Sequence, residues 1–316
     1  ARDCYNENHM VSAAPLDITT PEFLLAALCS KPDVVTNTAP CQPFARGGDG
    51  LGLLDHRADP TWAGYKVAYF TEAALIMESS DGIVSSSPDS AVCLLAAFAQ
   101  LTEGTFDQCV LPLRSLVCMD RSRWFGVAMP LGCVPADLGG WPTGPGPMLH
   151  HAHPIFDPVP LDQLMQLQLT PQESVLIDNP IFNKGSEQRN LAWRDRMHCL
   201  VHRYGSATSP CPCGCSRWGL SLKRLSDKGF WGAFVTQGQN RRWACPAVVL
   251  RMMGFPKDFK LPLNQRLALA LAGNTVTIWQ ASFVIAATFA ALKGSNALVS
   301  KELSLVRVRA LCNGSS

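Results

Sequence analysis

The sequence lacks two features that would place the chain in or across a membrane. No apolar run reaches the roughly 18 residues that a spanning helix needs, and the N-terminus lacks the basic and then apolar pattern of a signal peptide. The 13 cysteines also lack the regular spacing of a disulfide framework. These absences predict a globular protein without a membrane partner, located inside the cell, with its thiols reduced.

The length and composition allow a large buried core. The chain has 316 residues, of which 47% are hydrophobic, so it is long enough for two domains or for one large domain with an insertion. It begins at Ala1 rather than at a methionine. We therefore expect a processed product or a fragment of a longer protein.

The net charge of +2 conceals an uneven distribution of charge along the chain. Residues 1–183 carry 8 Lys and Arg against 20 Asp and Glu, whereas residues 184–260 carry 14 against 4. The aromatic residues interleaved with this basic stretch are Trp193, Tyr204, Trp218, Phe230, Trp231 and Trp243. A nucleic-acid-binding face has this composition, and so does a solvated basic surface over core aromatics, so both interpretations stay open.

A cysteine follows the first segment that is typical of a buried strand. Residues 33–38 are rich in β-branched side chains and lead into Pro40, Cys41 and Gln42. In an open α/β sheet, ligands bind at the edge formed by the carboxyl ends of the strands. The prolines on either side of Cys41 stiffen the loop and would hold the thiol in one position. From these residues alone, an inert cysteine buried in a turn is an alternative to a catalytic thiol.

A carboxylate and two arginines border two further predicted strands. Residues 73–77 are apolar and predict a buried strand that ends at Glu78, which would place this acid at the same sheet edge as Cys41. Arg121 and Arg123 lead into an apolar strand, and residues two apart on an extended chain point to the same face. The alternatives are an exposed acid in a turn for Glu78 and solubilising charges for the arginines.

Three helices are predicted from their ends or their composition. Thr20 precedes Pro21 and predicts the N-cap of a helix over residues 21–29. A helix that begins near Pro246 is expected to stop at Gly254. Residues 278–292 predict an apolar, alanine-rich helix that is packed on nearly all of its sides.

A cluster of cysteines and histidines lies in the basic stretch. Thiolates and imidazoles bind zinc tetrahedrally, but the single-residue gaps here differ from the two-residue gaps of strong zinc motifs. The pattern therefore favours a turn with free thiols and leaves zinc open. The cluster consists of His198, Cys199, His202, Cys211, Cys213 and Cys215.

Taken in chain order, five stretches resemble the motifs of the DNA cytosine-5 methyltransferases. Together they extend over nearly the whole chain except its middle, and five motifs in the right order are highly specific. The matching stretches are Pro40-Cys41-Gln42 with Asp55-His56-Arg57, Glu78, Arg121 with Arg123, residues 251–256 (RMMGFP) and residues 273–276 (GNTV).

The resemblance implies an α/β fold, with a Rossmann-like sheet of the S-adenosylmethionine-dependent methyltransferases and a small, irregular target-recognition domain. It implies that residues 1–133 and 236–316 form the catalytic domain and that residues 134–235 form the target-recognition domain. The glycine-rich first motif of the family, F-x-G-x-G-G, has no match in the sequence. We therefore expect the first strand of the sheet to be missing.

The resemblance also implies roles for single residues. Cys41 would add to carbon 6 of a flipped-out cytosine, and Glu78 would protonate or hydrogen-bond ring nitrogen 3. Arg123 would hold the exocyclic oxygen of the base, with Arg121 as its support. The methyl donor of the family is S-adenosylmethionine, and no metal is implied. The implied cofactor contacts are Asp17, Ile18, Pro40, Asn274 and Val276.

Two positions depart from the pattern of the family. Glu78 is followed by Ser79 and Ser80 instead of Asn and Val, and Met119 replaces the Gln before the arginines. We therefore weigh an active methyltransferase against a homologue that binds DNA without methylating it, and the retained catalytic residues favour the enzyme. A cysteine hydrolase is a third hypothesis, although no hydrolase signature surrounds Cys41.

The resemblance finally implies the partner and the location. We expect the chain to bind double-stranded DNA and to be a monomer. We expect it in the nucleus if the source is eukaryotic and in the cytoplasm if the source is prokaryotic.

Overall fold

A computed structural model gives the arrangement of the chain. The residues that it describes are 2–9, 16–44, 51–85, 88–103, 105–113, 116, 119–142, 171, 197–198, 219–225, 230–237, 240–243, 245–263 and 265–294. The chain divides into two units that interleave along the sequence. The sheet unit consists of Ser12–Leu111, Ser122–Trp141 and Gln280–Ser316, and the meander unit consists of Ala1–Val11, Pro112–Arg121 and Pro142–Trp279. The division at residues 133 and 235 stays a prediction.

The sheet unit contains a four-stranded sheet. In spatial order, its strands are β1 (Val34–Asn37), β2 (Ala74–Ser80), β5 (Ser122–Ala128) and β3 (Phe106–Pro112). β1 and β2 are parallel, whereas β2 and β5 are antiparallel. All seven residues of β2 are buried, as expected of a strand with neighbours on both sides and apolar layers on both faces.

Among the residues that the structure describes, five helices lie wholly or mostly in this unit. They are α2 (Pro21–Ser30), α3 (Asp59–Thr71), α4 (Gly82–Ser85), α5 (Pro88–Thr102) and α8 (Ile278–Gly294). The Thr20 hydroxyl accepts a hydrogen bond from the Phe23 N–H at 3.4 Å, which confirms the predicted N-cap of α2. The apolar run before Cys41 forms β1, as its β-branched composition predicts.

The core of the sheet unit depends on a close approach of aromatic rings to β5. Phe98 on α5 stacks on Trp124 with ring centroids 6.3 Å apart, and both side chains are fully buried. A Cβ atom on Gly126 would lie 2.5 Å from the Phe98 ring. Only glycine therefore allows the rings to pack against the strand at this position.

The meander unit contains the antiparallel strands β7 (Gly219–Leu225), β8 (Phe230–Gln237) and β9 (Asn240–Trp243). A two-residue parallel pair joins β4 (Met119–Asp120) to β6 (Met197–His198). Its helices are α1 (Arg2–His9), α6 (Pro246–Met252) and α7 (Gln265–Asn274). Gly254, the predicted stop of α6, has a φ of +93°, which confirms a left-handed turn that favours glycine.

The apolar helix α8 differs from the prediction. Its buried residues form a single stripe, since Gln280, Val284 and Thr288 are four residues apart and Ala291 and Leu292 follow Thr288 by three and four residues. The opposite side carries small exposed residues at Ser282, Ala286 and Ala290. The prediction of packing on nearly all sides was therefore wrong, because alanine contributes apolar character without requiring burial.

The expectation about long apolar runs was also wrong. By length and composition, the stretch Leu271–Gly294 could cross a membrane. The core helix of a water-soluble protein meets the same criterion, so one such stretch is weak evidence for a membrane. The predicted absence of a membrane partner stays a prediction.

Several predictions concern residues outside the described part of the chain. The cysteines of the proposed zinc cluster, Cys199, Cys211, Cys213 and Cys215, belong to this group, as do Trp193, Tyr204 and Trp218. Zinc binding and a basic aromatic face therefore stay hypotheses.

Candidate active site

The candidate site centres on a buried ion pair between β2 and β5. Arg123 Nε lies 2.9 Å from Glu78 Oε1, and the side chains are only 9% and 8% exposed, respectively. Ser80 lies opposite Arg123 in the antiparallel register, so Glu78, two residues before Ser80, is the diagonal neighbour of Arg123 on the same face. The structure thus excludes an exposed turn acid and a solubilising arginine at these positions.

The strand β2 is longer than predicted. It continues past Glu78, where the sequence predicts its end, through Ser79 to Ser80. The pairing of Ser79 with Trp124 and of Ser80 with Arg123 supplies the backbone hydrogen bonds that keep this polar segment extended. Glu78 consequently projects from a rigid strand rather than from a loop.

A second contact fixes the guanidinium of Arg123. Its Nη1 donates to the carbonyl oxygen of Ser122 at 3.0 Å, while Nε is directed to Glu78. A planar guanidinium with two fixed contacts has little rotational freedom. The carboxylate of Glu78 is therefore held in one orientation beside a permanent positive charge.

Cys41 follows the parallel neighbour of β2. Asn37 ends β1 opposite Met77, so β1 leads to the sheet edge at which Glu78 lies, and Cys41 comes four residues later. The Phe44 N–H donates to the Cys41 carbonyl at 3.1 Å within the short 3₁₀ turn Gln42–Phe44. Phe44 is 2% exposed and belongs to the core cluster, so it anchors the loop that carries the half-buried thiol.

Asn37 fastens the base of this loop. Its Nδ2 donates to the carbonyls of Pro60 at 3.2 Å and Thr61 at 2.9 Å, which joins the end of β1 to the first turn of α3. A Cβ atom on Gly64 would lie 2.2 Å from Asn37 Nδ2, so glycine is required one turn further along α3. Neither residue was predicted from the sequence, although a glycine inside a helical pattern often marks a close approach.

The triplet Asp55-His56-Arg57 stiffens the middle of the loop. Arg57 Nε donates to both oxygens of the Asp55 carboxylate at 2.9 and 3.0 Å, and its backbone N–H donates to Oδ1 at 2.9 Å. These hydrogen bonds, first from the side chain and then from the backbone, lower the pKa of Asp55 from 3.8 to about 2. The His56 side chain is 90% exposed. The structure therefore gives this triplet a supporting role in the loop.

Ser90 ties the loop to a helix. Its hydroxyl on α5 accepts a hydrogen bond from the Leu53 N–H at 3.0 Å. Ser90 was not predicted from the sequence, because a serine near the start of a helix does not indicate a partner distant in the chain. Asn37 thus restrains the end of β1, after which Cys41 follows, and Asp55 and Ser90 restrain residues 53–57 before α3.

Arg121 has different partners from Arg123. Its side chain is only 1% exposed, and its Nη2 donates to the carbonyl of Gly273 at 3.2 Å and to that of Thr275. β5 begins only at Ser122, so Arg121 precedes the strand from which Arg123 projects. The structure thus brings Arg121 to the motif of residues 273–276, within the meander unit.

The residues implied in cofactor binding are distributed over both units. Asp17, Ile18 and Pro40 belong to the sheet unit, whereas Asn274 and Val276 belong to the meander unit at the end of α7 and just beyond it. The predicted roles of all five residues stay predictions.

The environment of Asp17 and Ile18 fits the nucleoside end of S-adenosylmethionine. Asp17 is exposed, and its Oδ1 accepts hydrogen bonds from the Thr19 hydroxyl at 2.7 Å and the Thr19 N–H at 2.9 Å, which lower the pKa of Asp17. Ile18 beside it is half-buried. A charged carboxylate can accept from ribose hydroxyls, and an aliphatic side chain can pack against a purine.

Solved structures of methyltransferases have the same fold. The S. pombe Dnmt2 methyltransferase matches with a TM-score of 0.59 and 18% identity, over 92% of this chain and 88% of that one. The Entamoeba histolytica methyltransferase EhMeth matches with a TM-score of 0.60 and 12% identity, over 92% of this chain and 87% of that one. A protein from an E. coli prophage, described as a DNA modification methyltransferase, matches with a TM-score of 0.55 and 15% identity, over 93% of this chain and 90% of that one.

These matches confirm the predicted α/β fold, which the chain shares with these methyltransferases. No protein-family model and no curated protein matches the chain. At identities of 12–18%, the likeness concerns the fold, and activity has to be argued from the residues of the site.

Proposed function

We propose that this chain is a DNA cytosine-5 methyltransferase that moves a methyl group from S-adenosylmethionine to carbon 5 of cytosine through a covalent adduct with Cys41. The buried pair of Glu78 and Arg123 is the observation that carries the proposal, since it lies at the sheet edge to which β1 leads Cys41. The fold shared with methyltransferases supports it.

Cys41 supplies the nucleophile. Carbon 5 of cytosine is a poor nucleophile until a group adds to carbon 6, and a thiolate is the side chain best suited to this addition. The sulfur forms a bond to carbon 6, and the ring electrons move towards nitrogen 3 and carbon 5. The loop anchored by Phe44 holds the thiol in place for this step.

Glu78 and Arg123 respond to the charge that develops on the ring. Glu78, once it is protonated, donates this proton or a hydrogen bond to nitrogen 3, and Arg123 both orients the carboxyl group and stabilises the carboxylate that proton transfer leaves. Because both side chains are held by neighbouring strands, little reorganisation is needed when the base is bound.

The cofactor, when bound, supplies an electrophilic methyl group. Asp17 and Ile18 hold its nucleoside, and Pro40, Asn274 and Val276 complete the contacts that the family resemblance implies. After carbon 5 has taken the methyl group, the nitrogen 3 proton returns to Glu78 and a base such as solvent water takes the carbon 5 proton, which restores the double bond and releases Cys41 as a thiolate. Cys41 is therefore regenerated in each cycle.

The proposed partner is double-stranded DNA, bound by a monomer in the nucleus or the cytoplasm. A stacked base hides carbon 6, so the target nucleotide has to leave the duplex at a cost of a few kcal/mol. The basic composition of residues 184–260 suits the phosphate contacts that would offset this cost. Residues 134–235 would recognise the target.

Transfer of a labelled methyl group to a cytosine-containing duplex tests the proposal. We expect incorporation by the wild type and by Cys93→Ala, in which an exposed cysteine of α5 is changed, and none by Cys41→Ala. Tight DNA binding by the wild type without incorporation would favour the homologue that only binds DNA and would refute the enzyme.

A further inference from the structure

Arg121 is a buried arginine whose guanidinium donates hydrogen bonds to backbone carbonyls. It is 1% exposed, and its own carbonyl accepts from the Leu113 N–H at 2.9 Å, which fixes the backbone from which the side chain projects. An arginine keeps its charge in a protein, so burial is costly unless hydrogen bonds offset the lost hydration. The partners of the guanidinium therefore indicate what this residue does.

Those partners are two backbone carbonyls at the end of α7. Arg121 Nη2 donates to Gly273 at 3.2 Å and to Thr275, the residues immediately before and after Asn274. The last carbonyls of a helix have no donor within the helix, and the negative end of the helix dipole attracts a cation. Arg121 thus closes the C-terminus of α7 and fixes the turn that follows.

We propose that Arg121 is a positioning residue for the turn at residues 273–276 and controls the affinity for S-adenosylmethionine, rather than acting on the cytosine. This inference rests on the proposed function, in which Asn274 and Val276 contact the cofactor. Asn274 lies between the two carbonyls that Arg121 holds, so the guanidinium fixes the direction of the backbone at the cofactor contact.

The two neighbouring arginines consequently have separate tasks. Arg123 pairs with the carboxylate that acts on the base, whereas Arg121 holds backbone carbonyls. Substitution by lysine keeps the charge, but the lysine side chain is one atom shorter than that of arginine and lacks the planar guanidinium, so it should reach the two carbonyls less well. The two lysine variants should therefore affect different kinetic constants.

The test compares Arg121→Lys with Arg123→Lys in the full chain. For Arg121→Lys, we expect the Kd and KM for S-adenosylmethionine to rise about 10- to 100-fold, with kcat at saturating cofactor within about 3-fold of wild type. For Arg123→Lys, we expect a large loss of kcat with an unchanged cofactor Kd. A loss of kcat in Arg121→Lys at unchanged cofactor Kd would overturn the inference.

Hydrogen exchange of the free protein gives a second readout. Arg121→Lys should speed exchange of the amides in residues 273–277 and leave those of β2 unchanged. Equal acceleration in both regions, or none at residues 273–277, would show that Arg121 does not position this turn. If the wild type binds the cofactor and transfers methyl groups but this pattern fails, only the inference about Arg121 is refuted.

Discussion

Arg123 and Glu78 form an ion pair of 2.9 Å across two neighbouring strands, in surroundings from which water is almost completely excluded. Removing one partner of such a pair leaves a buried charge without compensation, whereas replacing both by apolar residues of similar volume is often tolerated. The pair therefore links the stability of the sheet to the chemistry of the site, and the two effects are separable by mutation.

We expect Glu78→Leu and Arg123→Met each to lower the free energy of unfolding by about 3–5 kcal/mol. The double variant should lose much less than the sum, because no unpaired charge remains. Urea unfolding of the four proteins measures this difference. Strictly additive losses would contradict an energetic coupling between the two side chains. All three variants should be catalytically inactive.

The contact between Asn37 and α3 gives a prediction about the base of the catalytic loop. Gly64→Ala should lower the free energy of unfolding, although alanine favours helices by about 1 kcal/mol, because its Cβ would lie 2.2 Å from Asn37 Nδ2. In an Asn37→Ala background, Gly64→Ala should lower the free energy of unfolding by less, because the Asn37 side chain is no longer in the way. Thermal unfolding of the four proteins measures this, and equal costs in both backgrounds would refute the close approach.

The hydrogen bonds of Asp55 predict a dependence of stability on pH. The folded-state pKa of about 2 lies below the ordinary 3.8, so ionised Asp55 stabilises the fold above pH 3.8, and this contribution is lost as the pH falls towards 2. The stability difference between wild type and Asp55→Asn should be constant from about pH 7 to pH 5 and should narrow towards about pH 3.

Urea unfolding at several pH values measures this difference. The difference in free energy of unfolding between wild type and Arg57→Gln should narrow in the same way on acidification, because the substitution removes the main hydrogen-bond donor to the Asp55 carboxylate. A difference that widens on acidification would contradict the predicted direction of the pKa shift.

Three buried serines differ in their hydrogen bonding. Within the described part of the chain, the hydroxyls of Ser79 and Ser80 have no hydrogen-bond partner, whereas that of Ser90 accepts from Leu53. A buried unpaired hydroxyl costs about 1–3 kcal/mol, so Ser79→Ala and Ser80→Ala should raise the free energy of unfolding, and Ser90→Ala should lower it by about 1 kcal/mol. Calorimetric unfolding checks the signs. Destabilisation by all three changes would show that the hydroxyls of Ser79 and Ser80 do have hydrogen-bond partners.

Local sequence signals predicted the elements of the fold well where the cause is local. Thr20 and Pro21 mark the start of α2 because capping involves only adjacent residues. The extension of β2 to Ser80 was missed, since Ser-Ser-Asp-Gly favours a turn and only pairing with β5 overrides it. The one-sided burial of α8 was missed because its alanines fit equally in a core and at a surface.

The site was predictable in its residue types but not in its contacts. Cys41, Glu78, Arg121 and Arg123 were predicted from the sequence, and the structure pairs Glu78 with Arg123. The partners of Arg121 and the bonds of Asn37 and Ser90 join segments distant in sequence, and no local pattern specifies such pairs. The supporting contacts of a site therefore require the fold to be known.

The most direct test of the proposed function is the mass of the protein after incubation with S-adenosylmethionine and a duplex that contains 5-fluorocytosine. Fluorine at carbon 5 is not lost as a proton is, so the bond between the thiol and carbon 6 would persist. We predict a cofactor-dependent covalent adduct with the wild type and with Cys93→Ala, and none with Cys41→Ala. A wild-type protein that binds this duplex without forming an adduct, or an adduct that persists in Cys41→Ala, would contradict the account.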